Sequence, residues 1–305
     1  MTETPNLSAG TSTGTAATAH EAIRRIGVVG SGLMGSGIAE VCARAGLDVV
    51  VREISDAAAE AGRRRITDSL DRAARRGKLA EADRDAALGR LRFTTDLAEF
   101  ADRDMVVEAI AEDEGAKAEI FSILDKTVAR QDAILASNTS SIPIMKLGMA
   151  TSRPECVVGV HFFNPVPVLD LVELVPSLLT SEETLARVEE FVHSPLGKHV
   201  IRSKDRAGFV VNALLVPYLL SAIRMLESGF ASAEDIDSGM ELGCAHPMGP
   251  LRLADLIGLD TLAAIADSMY EEFKEPLHSA PPLLLRMVDA GLLGRKSGRG
   301  FHDYS

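Results

Sequence analysis

Residues 26–35 read Ile26-Gly-Val-Val-Gly-Ser-Gly-Leu-Met-Gly35, and this stretch decides the fold of the first half of the chain. The β-branched run predicts a short buried strand, and the glycines that follow it open a helix. Gly30 permits a tight turn, Gly32 lets a pyrophosphate approach the backbone, and Gly35 lets helix and strand pack closely. Unpaired N–H groups at the helix N-terminus attract the phosphates. We therefore expect a dinucleotide to bind through Gly30, Gly32, Leu33, Met34 and Gly35.

A carboxylate stands at the end of the next predicted strand, Asp48–Val51, where a dinucleotide fold needs one. Glu53 lies 23 positions after Gly30 and is placed to accept hydrogen bonds from the adenine-ribose hydroxyls. It repels a 2′-phosphate, so the pattern predicts NAD as the cofactor. Arg52 leaves NADP open as an alternative, because an arginine can pair with that phosphate.

The two halves of the chain differ in their patterns. Up to about Asp205, short apolar runs alternate with amphipathic stretches, which predicts a doubly wound α/β domain with a parallel sheet covered on both faces. The remainder reads as helices broken by Gly and Pro, so an all-α domain is expected. The predicted strands are Ile26–Val29, Asp48–Val51, Met105–Ala109, Ala133–Ser137 and Val157–Phe162. The predicted helices are Leu33–Ala45, Ala57–Arg76, Ala116–Val128, Phe209–Leu226, Ala233–Leu242, Leu251–Tyr270 and Leu283–Ala290.

Three segments are predicted from this organisation. Residues 1–22 are expected to form a disordered tail, since Met1–His20 has no Lys or Arg and no apolar core of a signal peptide. Residues 23–205 are expected to form the Rossmann-like domain, and residues 206–305 the helical one. The apolar run Ala207–Ile223 contains Asn212 and Pro217 and is interpreted as a buried helix, not a membrane span.

Composition excludes several functional classes. A net charge of −12, no Trp and only 4% aromatic residues argue against nucleic-acid and membrane-surface binding. The three cysteines, Cys42, Cys156 and Cys244, have neither disulfide-framework nor metal-ligand spacing. We therefore expect no metal and a reducing, cytoplasmic location.

The run His161-Phe-Phe-Asn-Pro-Val-Pro167, with Glu173 beyond it, has the composition of a catalytic base and its orienting partner. A histidine suits removal of a hydroxyl proton near neutral pH. A carboxylate behind the ring fixes its tautomer and stabilises the imidazolium. The Asn-Pro-Val-Pro turn is expected to fold the strand of Glu173 back toward that of His161. An amide at position 173 can still accept a hydrogen bond, so Glu173→Gln is expected to be milder than loss of His161.

Six motifs, in order, resemble those of the 3-hydroxyacyl-CoA dehydrogenases, including the bacterial 3-hydroxybutyryl-CoA enzymes. The match runs from about Arg25 to Tyr304, and His-Phe-Phe-Asn-Pro is its most specific element. The motifs are Gly32–Ala39, Ala136–Ser141, His161–Pro167, Gly208–Asn212, His246–Pro250 and Gly294–Phe301.

The resemblance implies roles for individual residues. His161 matches the catalytic base and Glu173 its partner, while Ser140 and Asn212 match residues that contact or neighbour the reacting oxygen of the substrate. Ser140 also resembles a helix cap and Asn212 a helix residue bonded to backbone, and both alternatives stay open. The resemblance further implies a homodimer through the helical domain. Positions that line the cofactor site are matched by Glu112, Lys117, Asn164 and Lys296.

Residues 61–80 form a basic helix in an acidic protein. Seven basic side chains stand against two acidic ones, a local charge of +5. A solvated helix face explains most of them. Coenzyme A carries a diphosphate and a 3′-phosphate, and Ser69 and Arg76 fall where the family places its CoA contacts. Arg76 replaces the lysine common there, which keeps the charge but changes the hydrogen-bond geometry.

The sequence therefore predicts NAD-dependent oxidation of a 3-hydroxyacyl-CoA to the 3-oxoacyl-CoA, reversible, with His161 as the base. Two alternatives stay open. One is a related dehydrogenase for a non-CoA hydroxy acid of the L-gulonate type. The other is a catalytically silent NAD-binding protein.

Overall fold

The computed structural model describes residues 22–304, in which an eight-stranded sheet is followed by a group of helices. The predicted N-terminal tail lies outside the described residues apart from Ala22. The strands are β1 (Arg25–Val29), β2 (Asp48–Arg52), β3 (Leu91–Thr94), β4 (Met105–Glu108), β5 (Ile134–Ser137), β6 (Val157–Phe162), β7 (Leu171–Pro176) and β8 (His199–Arg202).

Eleven α-helices are found within residues 22–304. Six accompany the sheet: α1 (Leu33–Arg44), α2 (Asp56–Arg75), α3 (Glu81–Gly89), α4 (Glu114–Thr127), α5 (Ile144–Gly148) and α6 (Glu182–His193). Five follow β8: α7 (Val211–Glu227), α8 (Ala233–Gly243), α9 (Pro250–Ile257), α10 (Leu259–Phe273) and α11 (Pro282–Asp289).

The sheet has the order β3-β2-β1-β4-β5-β6-β7-β8, and all pairs but β6–β7 are parallel. The chain winds to one side of β1 through β2 and β3, and to the other through β4, β5 and β6. Such a reversal opens a crevice at the carboxyl ends of the strands, beside β1. The predicted Rossmann-like class with an appended helical domain is confirmed.

Side chains of alternate residues in each strand feed two apolar layers. Val28 lies in one cluster with Ile38 of α1, whereas its neighbour Val29 lies in the other with Phe121 of α4. This period of two, with both faces apolar, is what a sheet covered on both sides requires. A third cluster, built around Leu219 and Leu262, forms the core of the helical part.

The five predicted strands agree with the structure to within one residue at each end, but β3 and β8 were not predicted. Both are four-residue strands at the two edges of the sheet, and their sequences, Leu-Arg-Phe-Thr and His-Val-Ile-Arg, are partly exposed. A short edge strand buries too few side chains to produce an apolar run, which is why periodicity missed them.

The predicted single helix Leu251–Tyr270 is wrong. The structure divides it into α9 and α10 at Gly258, whose φ of 102° lies outside the helical region. Glycine adopts such a conformation without a Cβ penalty, so the chain changes direction there. The other predicted helices end within two residues of the observed ones.

Strand β7, expected from the sequence only as the strand that carries Glu173, is the exception in a sheet that is otherwise parallel. It runs antiparallel to β6, with His161 paired to Glu173 in register. A turn over residues 163–170 joins the two strands, and it is too short for the crossover that a parallel pair needs. The expectation that this turn folds Glu173 back toward His161 is confirmed.

Polar contacts join the helical part to the sheet. Asp205 accepts hydrogen bonds from the backbone of Ile144 and Met145, each 2.8 Å long, at the start of α5. The first turn of α7 contacts β7 through Glu173. Helix α7, which spans most of the apolar run Ala207–Ile223, packs in the third cluster. Within residues 22–304, no helix has the length and apolarity needed to cross a membrane.

Candidate active site

The glycine turn after β1 has the shape that a dinucleotide needs. Gly30 has a φ of 90°, and a Cβ on Gly35 would overlap the Gly30 carbonyl oxygen, so neither position accepts a side chain. The Cβ position of Gly32 faces open space, and no side chain caps the α1 N-terminus there. Leu33, the first helical residue, is 62% exposed. The turn therefore leaves free N–H groups and room for a diphosphate.

Glu53 lies beside this turn, at the end of β2. One of its carboxylate oxygens accepts hydrogen bonds from the Ser31 backbone at 2.5 Å and from its hydroxyl at 2.9 Å. The neighbouring Arg52 donates from Nε to the Thr95 carbonyl at 3.3 Å. Arg65 of the basic helix binds the Ser31 carbonyl at 2.5 Å. Arg65 is exposed, in keeping with the solvated face expected for most of these arginines, but its guanidinium also contacts the glycine turn.

A buried charge cluster extends from the end of β4. Lys117 of α4 is 1% exposed, and its Nζ lies 2.6 Å from Glu108 Oε1 and 3.3 Å from Glu112 Oε2. Glu108 is fully buried, and its other oxygen accepts a hydrogen bond from Ser137 of β5 at 2.6 Å. Lys117, predicted to line the cofactor site, thus lies beneath the crevice as the cation between two carboxylates.

Glu112 organises the loop after β5. Its Oε1 accepts hydrogen bonds from the Thr139 hydroxyl at 2.5 Å and the Ser140 backbone at 2.9 Å, and lies 3.4 Å from the Ser140 hydroxyl. Burial raises the pKa of Glu112, but the Lys117 ammonium and these hydrogen bonds outweigh burial and hold the pKa below its usual value. Glu112 is therefore an anion that fixes Ser140 at the edge of the crevice.

The alternative interpretation of Ser140 as a helix cap is wrong. Helix α5 begins at Ile144, after Pro143, and no side chain of its own N-cap residue binds it. Asp205 instead satisfies the first N–H groups, so Ser140 is not needed for that purpose.

His161 and Glu173 form a buried pair. Nδ1 of His161 lies 2.7 Å from Glu173 Oε2, and the two residues are 7% and 0% exposed. The ring of His161 meets Phe163 and Phe209 edge-on, with centroids 4.6 and 5.5 Å apart. The imidazole is thus fixed by one hydrogen bond and two aromatic contacts at the carboxyl end of β6.

The second oxygen of Glu173 binds the start of α7. It accepts hydrogen bonds from the backbone of Val210 at 3.0 Å and Val211 at 2.9 Å. These N–H groups lie at a helix N-terminus, which stabilises a carboxylate. Phe209 has a φ of 47°, a left-handed conformation that is unusual for a bulky residue. This conformation places the first turn of α7 against β7. Asn212, the next residue of α7, is 9% exposed and is carried to the same edge.

The remaining predicted residues are spread more widely. Asn164 is exposed in the turn after β6. Lys296 lies in the helical part, where its Nζ is 2.5 and 2.6 Å from the two oxygens of Asp260. None of its contacts involves the glycine turn.

The predicted CoA contacts lie on α2. Ser69 is half-buried, and its side chain forms a hydrogen bond with the carboxyl group of Glu40. Burial raises the pKa of Glu40, although Ser69 and Arg44 act in the opposite direction. Arg76 is exposed at the C-cap of α2, where its backbone N–H bonds the Arg72 carbonyl, but its side chain makes no hydrogen bond or ion pair with residues 22–304. The structure therefore brings Glu112, Ser140, His161 and Glu173 into bonded networks, and leaves Asn164, Lys296 and Arg76 outside them.

Sequence reasoning missed several participants. Glu108 ends an otherwise apolar strand, and an acid in that position is a signal that marks it. Asn138, whose side chain bonds the Phe162 backbone at 2.9 Å and ties β5 to β6, lies within a quoted motif. Val210 and Val211 act through backbone N–H groups, for which no side-chain pattern exists. No group of three or more possible metal ligands occurs in the described part of the chain.

Comparison with known proteins identifies the family of the chain. Residues 25–206 match the family model described as 3-hydroxyacyl-CoA dehydrogenase, NAD binding domain, and residues 208–304 match the C-terminal domain of the same family. A 3-hydroxybutyryl-CoA dehydrogenase of Mycobacterium tuberculosis is 63% identical over 284 residues, which cover 93% of this chain and 99% of the relative.

A second relative and a solved structure also match nearly the whole chain. The mitochondrial hydroxyacyl-coenzyme A dehydrogenase of Homo sapiens is 41% identical over 300 residues, covering 96% of this chain and 95% of the relative. The crystal structure of M. tuberculosis FadB2 superposes with a TM-score of 0.93 at 63% identity, covering 93% of this chain and 100% of that one. The chain belongs to the 3-hydroxyacyl-CoA dehydrogenase family, and its first half is the NAD-binding domain of that family.

Proposed function

We propose that this protein oxidises (S)-3-hydroxyacyl-CoA, with 3-hydroxybutyryl-CoA as the expected substrate, to 3-oxoacyl-CoA. The observation that carries the proposal is the 2.7 Å contact between His161 Nδ1 and Glu173, at the sheet edge that also bears the glycine turn. The substrate class is supported by the names of relatives, since the M. tuberculosis relative at 63% identity is a 3-hydroxybutyryl-CoA dehydrogenase.

The hydrogen bond with Glu173 determines which nitrogen of His161 can accept a proton from the substrate. A carboxylate only accepts hydrogen bonds, so Nδ1 carries the proton toward Glu173 and Nε2 keeps its lone pair. Nε2 takes the proton of the 3-hydroxyl group, and Glu173 stabilises the imidazolium that results. When bound, NAD supplies the acceptor for the hydride that leaves C3. In the reverse direction His161 returns the proton to the same oxygen.

Ser140 and Asn212 complete the proposed site from opposite sides. Ser140 is held by Glu112 in the loop after β5, and Asn212 lies in the first turn of α7. Each offers a hydrogen-bond donor to the substrate oxygen as its charge changes, a role worth about 2–4 kcal/mol per donor in other sites. The crevice between the sheet and the helical part is the proposed entry for the acyl-CoA.

A spectrophotometric assay tests the proposal directly. Purified protein with NADH should oxidise the cofactor when acetoacetyl-CoA is added. Activity with L-gulonate and NAD, but not with acetoacetyl-CoA, would favour a non-CoA hydroxy-acid dehydrogenase. Cofactor binding without turnover of either compound would indicate a catalytically silent protein.

His161→Gln should keep the fold and NADH binding but lower kcat by at least about 10²-fold, the low end for loss of a general base. Circular dichroism and NADH fluorescence titration check the first two expectations, and steady-state kinetics checks the third. Near wild-type turnover would remove His161 from the proposed role.

The contacts of Glu173 revise the expectation that Glu173→Gln loses less activity than His161→Gln. One oxygen already accepts from the Val210 and Val211 backbone, so a glutamine places its carbonyl there and turns its NH₂ toward His161. Nδ1 then becomes the acceptor and Nε2 carries the proton, which is the wrong tautomer for a base. We expect a loss in kcat close to that of His161→Gln, and a small loss would contradict this account of the pair.

Glu53 should give NAD(H) the higher kcat/KM over NADP(H). Glu53→Ala should narrow the preference by about 1–2 kcal/mol, through lost repulsion and lost ribose bonding. Arg52→Ala is the matched control, because its Nε is directed to the Thr95 carbonyl, and it should leave the preference unchanged. A wild-type preference for NADPH would make Arg52 the phosphate ligand instead.

The exposed C-cap residue Arg76 is proposed to bind the nucleotide end of CoA. Arg76→Ala should raise KM for acetoacetyl-CoA with little change in kcat, because contacts far from C3 need not strengthen in the transition state. The neighbouring Arg75→Ala is a matched control of equal charge and should change KM less. The pantetheine thioester lacks the phosphates, so its KM should not respond to Arg76→Ala; an equal response would assign the residue to the fold.

We also propose a homodimer formed through the helical part and a cytoplasmic location. Several large apolar side chains of that part are open to solvent, and the most exposed are Leu214, Phe230 and Leu242, at 74%, 79% and 87% exposure. Exposed apolar patches mark association surfaces. The cysteines at positions 42, 156 and 244 are free thiols, which suits a reducing compartment.

Light scattering should give the wild-type protein twice the 32.5 kDa mass of one chain. Leu214→Asp should shift the mass toward a single chain, since a carboxylate in an apolar contact is costly to desolvate. Leu178→Asp is the control, because Leu178 is 93% exposed but lies in the sheet domain. Dissociation by the Leu178 variant alone would move the interface to the sheet domain.

A further inference from the structure

The turn over residues 163–170 contacts both the base and the dinucleotide helix. It begins with Phe163, whose ring centroid is 4.6 Å from that of His161, and continues into Asn164. Val166 is 2% exposed and packs against α1. The contact is close, because a Cβ atom built on Gly37 would lie 2.8 Å from the Cβ of Val166. The position of this turn therefore determines where Phe163 and Asn164 lie relative to α1.

Lys198, which precedes β8, holds the turn from beneath. Its Nζ donates to the Val166 carbonyl at 2.8 Å and to the Leu169 carbonyl at 2.7 Å. The backbone N–H groups of residues 168 and 169 both donate to the Pro165 carbonyl, so they form no hydrogen bond with the Val166 or Leu169 carbonyl. A single side chain thus satisfies two carbonyls of one turn.

Burying Lys198 in this position costs free energy, because its ammonium group loses hydration. It is 6% exposed, and its Nζ forms no ion pair with a carboxylate of residues 22–304. Burial lowers the pKa of its amine, and the Asp170 carboxylate offsets this only in part. A buried amine is retained only where its hydrogen bonds compensate for lost hydration, and here every such bond ends on the turn.

We propose that Lys198 is a positioning residue for the reaction, which fixes the turn over residues 163–170 against α1 and so places Phe163 beside His161 and Asn164 at the cofactor crevice. Its role in turnover rests on the proposed function. Its role in cofactor binding rests only on the NAD-binding domain, so the two are measured separately.

The experiment compares Lys198→Gln with the wild-type protein. Glutamine is shorter and keeps at most one donor pair, so the turn should loosen. We expect NADH to bind about tenfold more weakly by fluorescence titration, the change that corresponds to losing about 1.4 kcal/mol, as for one buried hydrogen bond. With acetoacetyl-CoA, kcat should fall by a similar factor while KM for the CoA substrate changes little.

A matched control separates this role from plain stabilisation. Arg153 is 3% exposed and donates to the backbone carbonyls of Asp125 and Val128 and to the Asp125 carboxylate, none of which belongs to the turn. Arg153→Gln should lower the melting temperature as Lys198→Gln does, yet leave NADH affinity and kcat at wild-type values. Lys198→Arg should retain most of the wild-type NADH affinity, because arginine keeps the N–H donors. A cavity of about 480 Å³ beside Lys198 provides space for the larger guanidinium group.

A second variant keeps the test decisive if Lys198→Gln does not fold. Val166→Ala removes the contact with α1 without touching Lys198, and should produce the same kinetic pattern with smaller changes. Wild-type NADH affinity in folded Lys198→Gln or in Val166→Ala would overturn the proposal, and so would equal losses in the Arg153 control. Absence of hydroxyacyl-CoA turnover in the wild type would refute the proposed function, while the NADH titrations would still decide the role of Lys198.

Discussion

The carboxylate of Glu173 is the interaction on which the rest of the site depends. One oxygen holds the ring of His161 and the other holds the first N–H groups of α7, so a fully buried anion joins the sheet to the helical part. An uncompensated charge at that depth would be prohibitive. Because an imidazole compensates it on one side and a helix terminus on the other, the position of His161 depends on how the helical part packs against the sheet.

The glycine turn, the acid after β2 and the pairing of His161 with Glu173 could be predicted because each follows from local rules. A strand, a tight turn and a helix need glycine at fixed positions, and a reversing turn in an antiparallel pair brings opposed residues together. The split of α9 from α10 at Gly258 was not predictable in the same way, since a glycine within a helical pattern is often tolerated.

Other parts of the site depend on contacts that no single-sequence pattern contains. The family resemblance implies that Lys117 lines the cofactor site, yet its position between Glu108 and Glu112 arises only when β4 and α4 are packed together. Val210 and Val211 contribute only backbone donors. Ser140 looked like a cap because the local sequence allows one, whereas a distant aspartate, Asp205, takes that task. In each case tertiary structure supplies the partner.

The two edge strands show why a weak sequence signal can be useful to a protein. β3 and β8 are short and carry Arg92 and Arg202, the very features that hid them from periodicity. Each arginine is engaged with acidic neighbours, Arg92 with Glu99 at 3.7 Å and Arg202 with Glu189 at 2.5 Å. A long apolar edge would offer unpaired backbone groups to another sheet and promote aggregation. An eight-stranded sheet that ends in short charged strands therefore presents a poor template for pairing with the sheet of another molecule.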